Sequence, residues 1–146
     1  MCIRDSAGVD YVSHASSIPF GYFGSSGERL VIDGATIPAD PNFTGASYNV
    51  ISPEYFSVMG IGLPAGRAFT DADDDHGRDV AIVSESTARK FWPNQDAVGH
   101  TFRMGSEKDR ALVVVGIARD VQFQMFGGAK SQPYFCLLYT STAPLG

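Results

Sequence analysis

Tyr48 to Phe69 (YNVISPEYFSVMGIGLPAGRAF) dictates more of the fold than any other stretch, because it reads as strand, short helix and strand in immediate succession. Tyr48 to Ile51 is a β-branched and aromatic run suited to a strand. Ser52 is placed to cap the helix that follows, its hydroxyl accepting a free amide proton of the first turn. Pro53 then falls at the first helical position, where a missing N–H costs nothing. Glu54 suits the positive end of the helix dipole. Tyr55, Phe56 and Met59 share one apolar face. Gly60 is set to close the helix in the left-handed conformation. The chain then runs through Ile61 and Leu63 to Gly66, Arg67, Ala68 and Phe69. Nothing in the unit forms a catalytic constellation, and it reads as a packing unit.

The rest of the chain supplies short strands and one more helix. Gly8 to Ser16 alternates weakly and is expected as a strand. Residues 17–27, rich in Ser, Gly and Pro, form a loop that carries Phe20, Tyr22 and Phe23. Glu28 to Asp33 is a short strand, and Ala35 to Gly45, with two prolines, is a connector. Asp71 to Asp79 is an acidic surface loop, and Val80 to Val83 a continuous apolar strand. Ser84 caps a second helix, with Glu85 in its first turn, Arg89 and Lys90 in its last, and Ala88, Phe91 and Trp92 on its buried face. Pro93 ends it. His100 to Met104 alternates, Gly105 to Arg110 is a hairpin turn, and Ala111 to Val121 is the longest strand. Gly127-Gly128 opens a loop, and Pro133 to Phe135 begins a last strand. Two short helices among six or seven short strands make an α+β chain, with mixed or antiparallel pairing and the helices on one face of the sheet.

Composition excludes several classes of partner. The 146 residues are 44% hydrophobic, enough for one core, and the net charge of −5 argues against nucleic acid. The longest apolar run, Ala111 to Ala118, falls far short of the ~20 residues that cross a bilayer, and Met1 to Ser6 has no apolar core of a signal peptide.

Readings that would give the chain chemistry fail on spacing. Asp71, Asp73 and Asp75 alternate as in a calcium loop, but His76 stands where the turn needs Gly and Ile82 where the bidentate Glu belongs. His14, His76 and His100 are far apart, and Gly24-Ser25-Ser26-Gly27 is no nucleophile elbow. Gly60, Gly62 and Gly66 do not match a dinucleotide fingerprint, and no Walker A sequence occurs. No catalytic, metal or cofactor residue is therefore assigned. Phe56, Phe91 and Trp92 read as core. Arg67 reads as the partner of a nearby carboxylate such as Glu54, or as a salt bridge between lobes. Phe20, Tyr22 and Phe23 are the candidates for partner contact.

One ordered series remains: Val50-Ile51-Ser52-Pro53-Glu54-Tyr55-Phe56, Met59-Gly60-Ile61, Gly66-Arg67-Ala68-Phe69, Val80-Ala81-Ile82-Val83-Ser84-Glu85, Ala88-Arg89, Phe91-Trp92-Pro93, Val98-Gly99, and Val114-Val115-Gly116-Ile117 with Asp120. In this order and spacing it resembles the extracytoplasmic core domain of MacB-like ABC-transporter permeases, within the wider FtsX-like permease family. The resemblance covers roughly Val9 to Phe135. It implies a periplasmic domain between the first two transmembrane helices, built of a porter-like lobe of split βαβ units and a smaller β-rich lobe. On that pattern Tyr48 to Phe69 belongs to the porter lobe, as does Gly8 to Ile18, and Glu28 to Asp33 and Val80 to Val121 mostly to the other. It also implies a domain without catalytic residues that passes conformational change from a cytoplasmic ABC ATPase to substrate or partner proteins, in a homodimeric permease, with a periplasmic adaptor as a possible partner. The family-motif residues carried over are Ser52, Pro53, Tyr55, Phe56, Gly60, Gly66, Arg67, Ser84, Pro93 and Gly116. The alternative is a free-standing exported domain that binds a small ligand.

The ends look foreign to this pattern. MCIRDS at residues 1–6 and CLLYTS at residues 136–141 resemble translated adapter read-through, which sets the domain at 7–135 and 136–146 as a tail. Both cysteines, Cys2 and Cys136, then fall in the tails, against the competing reading of a Cys2–Cys136 disulfide.

Overall fold

The computed structural model describes residues 6–16, 27–28, 30–32, 46–75, 79–104, 110–121 and 134–138. Its strands are β1 (Gly27–Glu28), β2 (Leu30–Ile32), β3 (Ala46–Ile51), β4 (Ala65–Gly66), β5 (Val80–Ser84), β6 (Thr101–Met104), β7 (Ala111–Ala118) and β8 (Tyr134–Leu138). Its helices are α1 (Tyr55–Met59), α2 (Asp71–Asp75) and α3 (Glu85–Phe91). All the strands join one mixed sheet in the order β1-β3-β8-β5-β7-β6-β2, with β4 added to β7. Pairing is parallel for β3·β8 and β5·β7 and antiparallel elsewhere. The fold is α+β, and the stretches assigned to different lobes share this sheet, β3 joining β5 through β8 and β4 pairing directly with β7.

The sheet curls. β1 and β2 lie at its opposite ends, yet Glu28 and Leu30 are separated by one residue. A chain rises at most ~3.6 Å per residue, so the two ends approach within about 7 Å. The stretch expected as one strand over Glu28–Asp33 is thus two strands that pair in different places, β1 with β3 and β2 with β6.

Curling gives the sheet an inner and an outer face, and alternation assigns each strand residue to one of them. On β5, Ala81 and Val83 point inward, Val80 and Ile82 outward. On β8, Phe135 and Leu137 point inward, Tyr134, Cys136 and Leu138 outward. The inner core is aromatic: Tyr48 stacks on Phe135 (ring centroids 5.8 Å apart), Phe135 meets Phe102 edge-on at 5.5 Å, and Trp92 stands 6.4 Å from Phe102. The outer core packs Tyr55 and Phe56 of α1 with Phe69 against β5 and β8. Phe56, Phe91 and Trp92 are core, as their spacing predicts.

Three expectations are corrected here. The helices do not share a face: α1 covers the outer core, whereas α3 sends Phe91 and Trp92 into the inner one. Among the described residues there are three, because the acidic stretch contains α2. Residues 8–16 form no strand; the segment makes one isolated β-bridge, Ala15 to Ile51, with Ser16 hydrogen-bonded to Asn49 and Val50 beside it. The last strand, expected to begin over Pro133 to Phe135, runs from Tyr134 to Leu138, where its apolar residues fill the space between β3 and β5.

Candidate functional site

Ser52 ties the amino-terminal segment to the sheet. Its hydroxyl accepts a hydrogen bond from the His14 backbone N–H at 3.0 Å, and its own N–H donates to the His14 carbonyl at 2.9 Å. It is therefore not the cap of α1. That position belongs to Glu54, which makes no side-chain capping bond, and Pro53 lies in the turn before it. Tyr55 and Phe56 are buried edge to face, with rings 5.7 Å apart. Met59 does not share their face: it and Val58 are 45% and 41% exposed. A helix this short turns only part of its circumference to the core. Gly60 closes α1 as expected, with φ 66° and ψ 27°.

Beyond α1 the chain lies along β7 and forms a clasp. Arg119 N–H donates to the Gly62 carbonyl and Arg67 N–H to that of Val115, each at 2.9 Å. Between these bonds Gly66 faces Gly116. Arg67 turns to a carboxylate on its own segment rather than to Glu54 or across lobes: its two terminal nitrogens donate to both oxygens of Asp73, at 2.7 and 2.8 Å. Asp73 also accepts from the Thr70 N–H at 3.0 Å and from its hydroxyl at 3.1 Å. These donors, the guanidinium foremost, hold the Asp73 carboxyl down to about 2. The acidic stretch is thus not wholly solvated, since Asp73 is buried. The missed signal was Thr70-x-x-Asp73, a capping-box pattern at the start of α2.

A second group of polar side chains lies beneath α1. Asn49, Tyr55, Tyr134 and Cys136 are all buried on the outer side of β3 and β8, and the Ser16 hydroxyl donates to Asn49 Oδ1 at 2.8 Å. Burial pushes the Tyr55 hydroxyl and the Cys136 thiol each up to about 12, and raises Tyr134 further. All three are neutral near pH 7, and a protonated thiol is neither a nucleophile nor a metal ligand. Among the described residues no three His, Cys, Asp or Glu side chains are grouped to hold a metal ion.

The start of α3 forms a third anchor. Ser84 caps it, accepting from the Thr87 N–H at 3.3 Å. Thr87, which the sequence reading passed over, is fully buried and locks α3 to β8: its hydroxyl donates to the Tyr134 carbonyl at 2.9 Å and accepts from the Tyr134 N–H at 2.7 Å. Asp120, just past β7, accepts from the Ser86 N–H at 2.8 Å and from Arg89 at 2.9 Å. Pro93 follows the helix end at Phe91, as predicted. Gly116 and Gly66 are brought together by the fold, whereas Ser52 and Ser84 serve separate anchors. Phe20, Tyr22 and Phe23 lie outside the described residues, as do His76, Gly127-Gly128, residues 35–45 and the 105–109 part of the hairpin.

These anchors fasten a sheet; none aligns a nucleophile, a base and an acid. A family model described as the MacB-like periplasmic core domain matches residues 4–143. The macrolide export ATP-binding/permease protein MacB of Aggregatibacter actinomycetemcomitans is 30% identical over 95 residues, which is 65% of this chain and 14% of that protein. Its counterpart in Escherichia coli strain K12 is 31% identical over 86 residues, 58% of this chain and 13% of that protein. The chain therefore spans only a small part of the length of these curated relatives. The crystal structure of the periplasmic region of MacB from Actinobacillus actinomycetemcomitans superposes with a TM-score of 0.60 at 20% identity, over 96% of this chain and 62% of that one. The extracellular domain of the noncanonic ABC-type transporter YknZ from Gram-positive bacteria also gives 0.60, at 18% identity, over 92% of this chain and 57% of that one. No helix of the described residues is long and apolar enough to cross a membrane. By sequence and by fold, the chain belongs to the family of MacB-like periplasmic core domains of ABC-transporter permeases.

Proposed function

We propose that this domain works mechanically, relaying ATP-driven conformational change from the cytoplasmic side of the membrane and docking substrate or partner proteins during export. The match of nearly the whole chain to a periplasmic permease domain carries this reading. The relatives' names join ATP binding to export in one protein, and this chain contains no phosphate-binding loop. The ATPase that drives it is then another part of the same protein or a separate cytoplasmic subunit. The structure is suited to rigid movement, because a single curled sheet fastened at the Ser52, Arg67–Asp73 and Thr87 anchors transmits displacement as one body. The buried Tyr55 and Cys136, neutral near pH 7, fit a body without chemistry of its own. A homodimeric permease, its transmembrane helices and a periplasmic adaptor are the expected partners.

Recovery of the intact gene tests this. The relay requires apolar spans of ~20 residues on both sides of the domain. It also requires a Walker motif in the same gene or its neighbour. A reading frame with a cleavable signal peptide and no span would overturn it in favour of an exported small-ligand-binding domain.

A further inference from the structure

Ser52-Pro53-Glu54 has the sequence of a helix cap followed by proline at the first helical position, and the backbone of α1 is already wound to fit it. The Tyr55 N–H donates to the Ser52 carbonyl at 3.1 Å, and the Val58 N–H to that of Glu54 at 3.0 Å. Glu54, at the formal cap position, has φ −78° and ψ −8°, helical angles where a cap is ordinarily extended. Only the side chain of the cap is engaged elsewhere. The Ser52 hydroxyl accepts from the His14 N–H, and the cap position of α1 makes no side-chain bond. A serine hydroxyl occupies one staggered position at a time, so serving His14 withholds it from α1.

The competitor for that hydroxyl is a weakly held segment. None of residues 6–16 is buried, and Tyr11, the largest side chain among them, is 75% exposed. The hold on β3 and its end is mainly polar. Besides the two bonds between His14 and Ser52, the Ser16 N–H donates to the Val50 carbonyl at 2.8 Å. The Ser16 hydroxyl accepts from the Val50 N–H at 3.1 Å and donates to Asn49 Oδ1 at 2.8 Å. Ala15, half-buried, packs on the outer core. A segment held in this way opens locally, because little apolar surface is uncovered and water takes over the hydrogen bonds. β5, buried at every residue, has no such route.

We propose that residues 6–16 are a strap that detaches from β3, and that detachment hands the Ser52 hydroxyl to α1 as its N-cap. Strap and helix compete for one acceptor. With the strap down, α1 starts at Tyr55 without a side-chain cap. With the strap up, it starts at Pro53 under Ser52, and its first turn gains about fivefold in local stability. The coupling is reciprocal: whatever draws the strap away firms the start of α1, and whatever favours the capped helix frees the strap. This goes beyond the relay reading and stands without it.

Hydrogen exchange of backbone amides in the full 146-residue chain, read by NMR, tests the handover. The Ser16 and Ser52 amides, which donate to Val50 and His14, should exchange roughly tenfold or more faster than those of β5. His14→Pro removes the N–H that holds the hydroxyl, whereas His14→Ala keeps it. Exchange of the Glu54 or Tyr55 amide, the two within reach of a Ser52 cap, should slow about fivefold in His14→Pro and keep the parent rate in His14→Ala. Adding Ser52→Ala to His14→Pro should restore the parent rate. Ser16→Pro detaches the strap at its other end and should slow the same amides, which serves if His14→Pro does not fold. Strap amides as slow as those of β5 would overturn the detachment, as would failure of both proline chains to fold. In a folded proline chain, α1 amides that keep the parent rate, or that stay slow after Ser52→Ala, would overturn the handover.

Discussion

Gly66 of β4 and Gly116 of β7 face each other where the clasp crosses the sheet, and neither has room for a methyl group. A Cβ on Gly66 would collide with the Val115 carbonyl oxygen and lie 2.6 Å from Gly116 Cα; one on Gly116 would collide with the Arg67 carbonyl oxygen. Gly66 also adopts φ 72°, a left-handed conformation that costs other residues about 1 kcal/mol.

Gly60 supplies the comparison. It has a similar φ of 66°, but nothing lies within 4 Å of where its Cβ would stand. Gly60→Ala should therefore cost about 1 kcal/mol, from conformation alone. Gly66→Ala and Gly116→Ala should each cost about 2–4 kcal/mol, because backbone cannot yield as a side chain can. At roughly 3 °C of Tm per kcal/mol for a chain of this size, thermal melts resolve the two classes. Equal losses at Gly60 and Gly66 would mean that the β4–β7 approach is looser than described.

Arg67 and Asp73 predict an acid-sensitive clasp. The Asp73 carboxyl sits at about 2 against an ordinary 3.8, so the unfolded chain takes up the proton first as pH falls. A depressed carboxyl contributes its stabilisation in full above about pH 5 and loses it between roughly pH 4 and 2. Arg67 is half exposed, and solvent screening trims the contribution to about 1 kcal/mol. Asp73→Asn should lower the urea midpoint at pH 6, and the gap from the parent chain should shrink by pH 2.5. A gap that stays constant over that range would assign the loss to packing instead.

Thr87 holds the start of β8 by one hydroxyl. Thr87→Val keeps the shape but leaves the Tyr134 N–H and carbonyl without that partner inside the fold, at a cost of about 2–3 kcal/mol. Thr87→Ser keeps the hydroxyl, loses a methyl and should cost about 1 kcal/mol. Chemical denaturation of both variants checks the order. If Ser proves worse than Val, the methyl matters more than the hydrogen bonds.

Local signals were legible in the sequence, and long-range ones mostly were not. Ser84 as a cap, Gly60 as a left-handed stop and Val80–Val83 as a continuous apolar strand follow from neighbours in the chain, and they stand in the structure. Ser52 looks like an equally good cap, but a competing donor, the His14 N–H, comes from far along the chain and takes its hydroxyl. The split of residues 27–32 between two sheet ends follows from curling, which periodicity does not encode. Thr87 gave no sign of its role because its partner, Tyr134, is brought to it only by the completed sheet. Asp73 could have been found, since Thr70-x-x-Asp73 is a capping pattern, but the surrounding run of acids masked it. In the candidate site, the glycine pair belongs to the family pattern, and its reason, a backbone contact across two strands, exists only once β4 has met β7.

The last strand offers the most direct check on where the domain ends. Residues 136–138 resemble foreign sequence, yet in the fold Cys136 sits between Asn49 and Ile82, 1% exposed, with its thiol pushed up to about 12 by burial. Two barriers then protect it: a thiol-specific reagent cannot reach the sulfur, and at pH 8 almost none of it is thiolate. In a Cys2→Ser chain, Cys136 should react with an aromatic disulfide reagent at least a hundredfold more slowly under native conditions than in 6 M guanidinium. Its native rate should track the opening of the sheet, falling when a stabilising osmolyte is added and rising in Thr87→Val, which loosens the same strand. If the thiol reacts at once in the native protein, β8 ends at Phe135 and the segment after it is a tail. If it is protected and its rate follows Thr87, residues 136–138 are part of the sheet whatever their origin, because a continuously apolar strand of the right length pairs with both β3 and β5.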